Sequence, residues 1–284
     1  MSSDKKNLTR SSIEDAMVKA KKTTGTELVP QSTDATQVSS AKIRYLDKNI
    51  VLSKTTRIPL NKEALKQKHI FLDTEDKNTA IAISAYRHLR TNILKTLNAF
   101  GGQTLLVTGP TASVGKTTTA INLAINIARH SQRTALLVDL DLRKPDLHKV
   151  FDFEPEFGVI DIIKGKTPLE DVLVSPQIER LTLLPGKEAY EDSSELLSTG
   201  AMSNLLQDLK SRYPERLVII DSPPVLGGDH VEALSASVDA CLIVVDKTNR
   251  KHELKETLRR VHDIKIAGYV LNRSLEAKFD RYYY

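Results

Sequence analysis

Leu105-Leu106-Val107-Thr108 runs directly into Gly109-Pro110-Thr111-Ala112-Ser113-Val114-Gly115-Lys116-Thr117-Thr118. An apolar run ends in a loop that closes with Gly-Lys-Thr, and an apolar helical pattern follows it. The backbone N–H groups of such a loop, together with the helix N-terminus, form a cradle for an anion. The stretch therefore predicts a loop that binds polyphosphate, with Lys116 at the β- and γ-phosphates and the Thr117 hydroxyl on Mg²⁺. We call residues 109–118 the phosphate loop, in which Pro110 stands where the strict motif has glycine.

Strand and helix patterns alternate along the rest of the chain. Most strand candidates are short apolar runs without alternation, which is typical of parallel strands covered on both faces. The predicted strands are 104–108, 134–139, 181–184, 217–221, 240–245 and 266–271. The predicted helices are 76–98, 117–130, 194–211, 231–237 and 251–261. This alternation predicts an α/β fold with a doubly wound, mostly parallel sheet flanked by helices.

Three aspartates come at the ends of two predicted strands. Asp139 and Asp141 follow the apolar run 136–138, and Asp221 follows the run 217–220. Because open α/β sheets bind ligands at the carboxyl ends of their strands, we expect these side chains beside the phosphate loop. Two neighbouring carboxylates repel each other unless a proton or a cation lies between them. The pattern favours a cation site, although Asp221 alone could also cap a turn.

The composition excludes several classes of protein. The 284 residues contain no apolar run of the roughly 18 residues that a membrane-spanning helix needs, and the polar start predicts no secretory signal. A single cysteine, Cys241, cannot form an internal disulfide, which fits a reducing cytoplasm. The net charge of +5 is uneven: the first 100 residues carry 18 Lys and Arg against 10 Asp and Glu, and the rest carry 23 against 26. We therefore expect a basic extension and no nucleic-acid-binding domain.

The same composition divides the chain into parts. Residues 1–70 are predicted to form a basic, largely disordered extension that includes an extended linker at 41–70. Residues 71–278 are predicted to form the folded phosphate-loop domain. Residues 279–284 are expected to be a flexible tail that ends in Tyr282-Tyr283-Tyr284. An exposed aromatic terminus contributes nothing to a core, so a substrate role for these tyrosines is favoured over an incidental tail.

Residues 80–272 resemble the bacterial tyrosine kinases of polysaccharide export. These are P-loop NTPases of a branch related to cell-division-positioning and plasmid-partition ATPases. Besides the phosphate loop, the resemblance rests on Tyr86-Arg87-His88-Leu89-Arg90-Thr91-Asn92, on Val138-Asp139-Leu140-Asp141-Leu142-Arg143-Lys144-Pro145 and on Ile219-Ile220-Asp221-Ser222-Pro223-Pro224. The double aspartate with its arginine separates this branch from other nucleotide-binding loops. The chain resembles the capsule-type kinases, and its segment Ile13-Glu14-Asp15-Ala16 is similar to exosortase-associated autokinases.

The resemblance implies an ATP- and Mg²⁺-dependent protein-tyrosine autokinase that regulates exopolysaccharide or capsule assembly. It implies Lys116, Asp139 and Asp141 as catalytic residues, with Asp139 accepting the tyrosine proton. It implies Thr117, Asp141 and Asp221 as metal ligands. The nucleotide site would comprise the phosphate loop, Arg143 and Asn272, although Asn272 is equally well explained as a turn residue. The implied phosphate acceptors are Tyr282, Tyr283 and Tyr284.

The resemblance also implies partners. The chain is expected in the cytoplasm, held at the inner membrane by a Wzz-type chain-length-determinant protein that activates it. Further copies of the chain and a tyrosine phosphatase are the other implied partners. Many relatives carry Glu-x-x-Arg-x-x-Arg on the first helix for contacts in a ring, and here Ser84 replaces the glutamate before Arg87 and Arg90. The two arginines are therefore also compatible with a solvated helix face.

Two other interpretations of the residues stay open. A partition- or positioning-type ATPase would be a nucleotide-dependent switch without a tyrosine substrate. Such ATPases carry a signature lysine five residues before the Lys116 position, and Thr111 occupies that place here, which favours the kinase branch. A scaffold with a merely structural nucleotide site is disfavoured, because Lys116 and all three aspartates are present.

Overall fold

The computed structural model describes residues 55–73 and 77–274. The strands in these residues are β1 Thr56–Arg57, β2 Thr104–Thr108, β3 Thr134–Asp139, β4 Val174–Ser175, β5 Leu181–Leu184, β6 Arg216–Asp221, β7 Ala240–Asp246 and β8 Ile266–Asn272. They form one sheet in the order β1-β4-β5-β3-β6-β2-β7-β8. Every neighbouring pair is parallel except β4 and β5. The predicted α/β fold with a mostly parallel, doubly wound sheet is confirmed.

Helices cover both faces of this sheet. They are α1 Lys62–Gln67, α2 Lys77–Asn98, α3 Lys116–His130, α4 Leu147–Phe151, α5 Val159–Ile163, α6 Leu169–Val172, α7 Ser193–Leu197, α8 Gly200–Ser211, α9 His230–Leu234 and α10 Lys251–Arg260. Two 3₁₀ turns lie at Val225–Gly227 and Ser235–Ser237. Along the part of the chain that the structure describes, no helix combines the length and apolarity needed to cross a bilayer.

The central strands divide their side chains between two cores. Leu105 and Val107 of β2 pack in one core with α3, and Leu106 packs in the other with α8. Successive side chains of a strand point to opposite faces, so an uninterrupted apolar run serves both cores at once. All residues of β2, β3, β6 and β7 are buried, which is why their sequences show no alternation.

One predicted helix is divided in the structure. The pattern at 194–211 predicts a continuous helix, but α7 ends at Leu197 and α8 begins at Gly200. Thr199 lies between them in an extended conformation, and its side chain accepts a hydrogen bond from the backbone N of Met202. A threonine in this place caps the second helix and stops the first. The predicted helix at 231–237 is likewise α9 followed by a 3₁₀ turn.

The prediction of a linker over 41–70 is wrong for residues 55–70. Strand β1 pairs with β4, and the side chains of Ile58, Leu65 and Ile70 are buried in the same core as α3. Asn122 of α3 fixes the end of this segment, since its amide accepts from the backbone N of Phe71 and donates to the carbonyl of His69, both at 2.9 Å. The folded domain therefore begins before residue 71. The predicted features at 1–54 and 279–284 lie outside the described residues.

Candidate active site

The phosphate loop connects β2 to α3 and is pressed against the ends of two other strands. Gly115 is the N-cap of α3 with φ of 94°, a left-handed conformation that L side chains rarely adopt. A Cβ added there would lie 2.0 Å from the Nδ2 atom of Asn272. A Cβ added at Gly109 would lie 2.3 Å from the carbonyl oxygen of Val244. The loop can therefore hold its course only with glycine at both positions.

Neighbouring segments fix this loop through hydrogen bonds to two of its carbonyl oxygens and one of its hydroxyl groups. The backbone N of Val225 donates to the Gly109 carbonyl at 2.9 Å, and the Asn272 amide donates to the Val114 carbonyl at 2.9 Å. The Asn249 amide donates to the hydroxyl of Thr111 at 2.9 Å. These bonds come from three different elements, so the loop is positioned before any ligand arrives, as a site that relies on orientation requires.

Lys116 lies at the first position of α3 and is almost completely buried. Its side chain makes no ion pair with any described residue. Its charge lowers the pKa values of Asp141 and Asp221, although for both groups the upward effect of burial is larger. A buried ammonium group that lacks a close counter-ion is suited to an anionic ligand such as a phosphate.

Asp139 and Asp221 lie side by side at the carboxyl ends of β3 and β6. Asp139 Oδ2 accepts hydrogen bonds from the backbone N atoms of Asp146 at 3.2 Å and Leu147 at 3.0 Å. The Oδ1 atoms of Asp139 and Asp221 are buried and have no hydrogen-bond partner among the described residues. Burial raises the pKa of Asp139 well above its ordinary value, and the neighbouring charge of Asp221 raises it further.

Asp221 and Asp141 complete an acidic edge. Burial raises the pKa of Asp221 even though the nearby Thr117 hydroxyl and the charge of Lys116 act in the opposite direction. Asp141 is partly exposed, and burial raises its pKa against the opposing effect of Lys116. Repulsion among three carboxylates and two unpartnered buried oxygens together suit a bound cation.

The donor set fits Mg²⁺ in the way that phosphate-binding loops use it. Mg²⁺ keeps several waters and takes one or two carboxylates together with substrate phosphates. In residues 55–73 and 77–274, no group of three His, Cys, Asp or Glu side chains forms a complete metal cage. A cation at this edge would therefore depend on Thr117, on one or two aspartates and on a phosphate ligand.

The structure brings together most of the residues predicted for the site. Lys116, Thr117, Asp139, Asp141 and Asp221 share one edge of the sheet. Asn272 contacts the phosphate loop through Val114. Arg143 reaches the segment after β6 instead, where its Nη1 atom donates to the Gly227 carbonyl at 3.0 Å. Tyr282, Tyr283 and Tyr284 lie outside the described residues.

Two polar residues at the site were not predicted. Asn249 is buried and connects Thr111 to the end of β7 through hydrogen bonds. No local sequence motif predicts this contact. His230 is buried near Asp141 and Arg143, and its Nε2 atom lies 3.1 Å from the hydroxyl of Ser193. Burial lowers the pKa of His230. Asp246 ends an apolar strand as Asp139 does, so the same signal could have found it, but its carboxylate is paired with Arg273 at 3.2 Å.

Comparisons with known proteins place this chain in a family. Residues 105–277 match the AAA domain family. The chain is 31% identical over 211 residues to the tyrosine-protein kinase ptk of Acinetobacter johnsonii, across 73% of this chain and 28% of that protein. It is 28% identical over 216 residues to the putative tyrosine-protein kinase CapB of Staphylococcus aureus, across 75% of this chain and 93% of that protein. The chain belongs to the bacterial tyrosine kinases of P-loop type.

A solved structure agrees with this assignment. The kinase domain of the Escherichia coli tyrosine kinase ETK matches with a TM-score of 0.67 and 27% identity, across 81% of this chain and 92% of that domain. The family predicted from the motifs is thereby confirmed, and membership of it implies nucleotide binding. The chain spans about a quarter of the Acinetobacter kinase and nearly all of the Staphylococcus one.

Proposed function

We propose that this chain is an ATP-dependent protein-tyrosine autokinase that regulates exopolysaccharide or capsule assembly. It transfers the γ-phosphoryl group of ATP to tyrosine hydroxyls, including those of Tyr282, Tyr283 and Tyr284. The observation that carries the proposal is the pair of unpartnered buried oxygens on Asp139 and Asp221 beside Lys116. The similar proteins from Acinetobacter and Staphylococcus are named as tyrosine-protein kinases, which supports the choice of tyrosine as acceptor.

The phosphate loop and Lys116 bind the phosphates of ATP. The loop backbone and the α3 N-terminus orient the β- and γ-phosphates, and the Lys116 ammonium neutralises charge on the transferred group. Thr117, Asp141 and Asp221 would hold Mg²⁺, which would supply further neutralisation of charge on the phosphate oxygens. Because phosphoryl transfer depends mainly on positioning and charge neutralisation, a loop fixed by Asn249 and Asn272 suits it.

Asp139 carries the proton transfer. Its Oδ1 atom has no hydrogen-bond partner, so a lone pair is free to accept the phenol proton as the phenol oxygen attacks the γ-phosphorus and ADP leaves. A phenol has a pKa of about 10. Because the pKa of Asp139 is raised, the difference between the pKa of the phenol donor and that of the carboxylate acceptor is smaller than for an ordinary aspartate. The other oxygen of Asp139 remains bonded to the amides of residues 146 and 147, which fixes the orientation of the carboxyl group.

The proposed partners rest on the resemblance to the polysaccharide-export kinases, and the charge of the extension supports them. The basic residues 1–54 suit an anionic membrane surface or an acidic partner, and we infer recruitment to the inner membrane by a Wzz-type chain-length-determinant protein that acts as activator. A second copy receives the phosphate in trans, and a tyrosine phosphatase reverses the reaction. Arg87 and Arg90 lie on α2, with Ser84 in place of an acidic residue.

The deciding experiment measures phosphotyrosine on the purified full chain after incubation with Mg²⁺ and ATP. It is run with and without the cytoplasmic part of a co-expressed chain-length-determinant protein. A phosphotyrosine signal that falls strongly when Tyr282, Tyr283 and Tyr284 are all changed to phenylalanine supports the proposal. Tyr190→Phe is the matched control, because Tyr190 lies in the described fold beside Lys164.

Two results would overturn parts of this proposal. ATP hydrolysis without any phosphotyrosine, even with the membrane partner present, would instead favour a nucleotide-dependent switch. A signal that the triple phenylalanine variant leaves undiminished would place the acceptors elsewhere in the chain.

A further inference from the structure

A cavity of about 550 Å³ opens at the amino ends of β3 and β6, on the edge of the sheet opposite the phosphate loop. Its size is within the range of cavities that hold small ligands. It is lined by three arginines, two threonines and an apolar wall: Arg57, Arg180, Arg216, Thr134, Thr182 and Ile178. One acidic side chain also borders it, Glu179, whose Oε1 atom lies 3.5 Å from Arg180 Nε, so three arginines against one glutamate leave the lining net positive.

Arg216 is the most unusual residue of the cavity. It is the first residue of β6, it is 4% exposed, and its Nε atom is buried without a hydrogen-bond partner among the described residues. Its guanidinium group lies 3.9 Å from the centre of the Tyr213 ring and forms no ion pair with any described residue. A buried charge without a counter-ion is destabilising, so this arginine lowers the stability of the ligand-free fold.

Thr134 presents a second unpartnered group to the same space. It pairs in register with Arg216 on the adjacent strand, and its Oγ1 atom is buried without a hydrogen-bond partner among the described residues. Paired residues of neighbouring strands lie about 5 Å apart, so one small anion can contact both. Two orphaned polar groups that line one cavity point to a ligand that accepts hydrogen bonds from both.

The cavity also depends on two segments outside the central strands. The loop between β4 and β5 supplies Gln177 and Arg180, which both adopt positive φ, at 57° and 62°. The Nη1 atom of Arg180 donates a hydrogen bond to the Ser131 carbonyl at 3.0 Å, which holds the side chain in place. Strand β1 adds Arg57 from the N-terminal segment. Cations from three parts of the chain therefore meet at one place.

We propose that this cavity binds a phosphate monoester, with the phosphate on Arg216 and Thr134 and the ester group against Ile178. The planar guanidinium fork matches phosphate oxygens, and threonine hydroxyls add donors. The site is separate from the nucleotide site. Strands β3 and β6 begin here with Thr134 and Arg216 and end with Asp139 and Asp221, about 17 Å further on at the usual rise per residue.

The test uses the full chain with ADP at saturating concentration, so that the phosphate loop is already occupied. Phenyl phosphate, inorganic phosphate and benzoate are each titrated by calorimetry, and the thermal midpoint is measured in parallel. We expect phenyl phosphate to bind more tightly than inorganic phosphate and to raise the midpoint. Arg216→Met should weaken phenyl phosphate binding at least about tenfold and raise the midpoint of the ligand-free protein.

Matched variants separate the cavity from general effects. Arg212→Met removes an arginine that is paired with Asp208 and Glu170 and does not line the cavity, so phenyl phosphate binding should be unchanged. Thr134→Val removes the orphaned hydroxyl at nearly constant volume and should weaken binding even if Arg216→Met folds poorly. The proposal would be overturned if the wild type did not bind phenyl phosphate. It would also be overturned if Arg216→Met and Thr134→Val both bound phenyl phosphate as tightly as the wild type does, or if benzoate bound the wild type as tightly as phenyl phosphate.

Discussion

Asp239 precedes β7 at the amino edge of the sheet, whereas Asp221 ends β6 at the carboxyl edge, and the two carboxylates have opposite surroundings. Asp239 accepts hydrogen bonds from the backbone N atoms of Gln103 and Thr104, from the Thr104 hydroxyl and from Lys210. Burial would raise the pKa of Asp239, but these donors outweigh it and the pKa is lowered. For Asp221, burial dominates and the pKa is raised.

The difference separates a carboxylate that stabilises the fold from one that is kept for a ligand. Asp239 joins β2, α8 and β7 with every bond supplied by the protein itself. Asp221 retains an unpartnered oxygen and a like-charged neighbour, Asp139, which destabilise the ligand-free fold. Arg216, at the amino edge, also has a buried polar atom without a hydrogen-bond partner among the described residues, but its charge is positive. Substitutions at both edges of the sheet test this difference.

The largest effect is expected at Lys116. Lys116→Ala should lower phosphoryl transfer by about a thousandfold or more, because it removes the cation closest to the developing charge. The measurement is the rate of phosphotyrosine formation, with Lys255→Ala on the exposed face of α10 as control. Retention of near-normal transfer by Lys116→Ala would mean that the chemistry lies elsewhere and that the carboxyl edge is not the active edge.

The next effect concerns the segment that reaches the amino edge through β1. Leu65→Ala should lower the free energy of unfolding by about 2–5 kcal/mol, because Leu65 is fully buried in the core beside α3. Gln67→Ala, on the exposed face of the same helix, is the control. Deletion of residues 1–54 should preserve nucleotide binding, whereas deletion of 1–70 removes β1 and should destabilise the domain. Equal stability of the two deletions would show that 55–70 contribute nothing to the fold.

The third-largest effect is expected at Asp239 and Asp221. Asp239→Asn should lower the free energy of unfolding by about 1.5–3 kcal/mol, because charge-assisted hydrogen bonds are lost. Asp221→Asn should leave it unchanged or raised, because a buried charge and its repulsion of Asp139 disappear, while phosphoryl transfer is lost. Chemical denaturation of the nucleotide-free proteins measures both. A loss of stability at Asp221 as large as at Asp239 would remove the distinction between the two edges.

Asp239 and Asp221 should change the free energy of unfolding in opposite directions as pH rises. The pKa of Asp239 is lowered on folding, so its contribution is present above the unfolded value of about 3.9 and is lost as pH falls below it. The pKa of Asp221 is raised to about 7, so between about 4 and about 7 the folded state binds more protons than the unfolded one. The unfolding free energy should therefore decline across that window as pH rises, and Asp221→Asn should reduce the decline.

The sequence patterns predicted those strands and site residues that are determined by their neighbours in the sequence. Asp139 and Asp221 were predicted together because each ends an apolar run, and parallel strands bring their carboxyl ends to one edge. Strand β1 was missed, because two residues pair with β4 only through a contact more than a hundred residues away. The same reason hides Arg216: as a charged residue at the start of a strand it looks ordinary, and only burial marks it.

Asn249 illustrates the smallest effect that the comparison predicts, since it supports the carboxyl edge without touching the reacting atoms. Its amide donates to Thr111, and its carbonyl oxygen accepts from the backbone N of Asp246 at 3.0 Å. Asn249→Ala should weaken ATP binding by about fivefold, equivalent to about 1 kcal/mol for the lost bonds. Asn204→Ala, exposed on α8, is the control for nucleotide-binding titrations. Because Asn249 acts only through the position of the loop, the transfer rate at saturating ATP should fall less than the affinity does, and the opposite split would assign it a role in the chemistry.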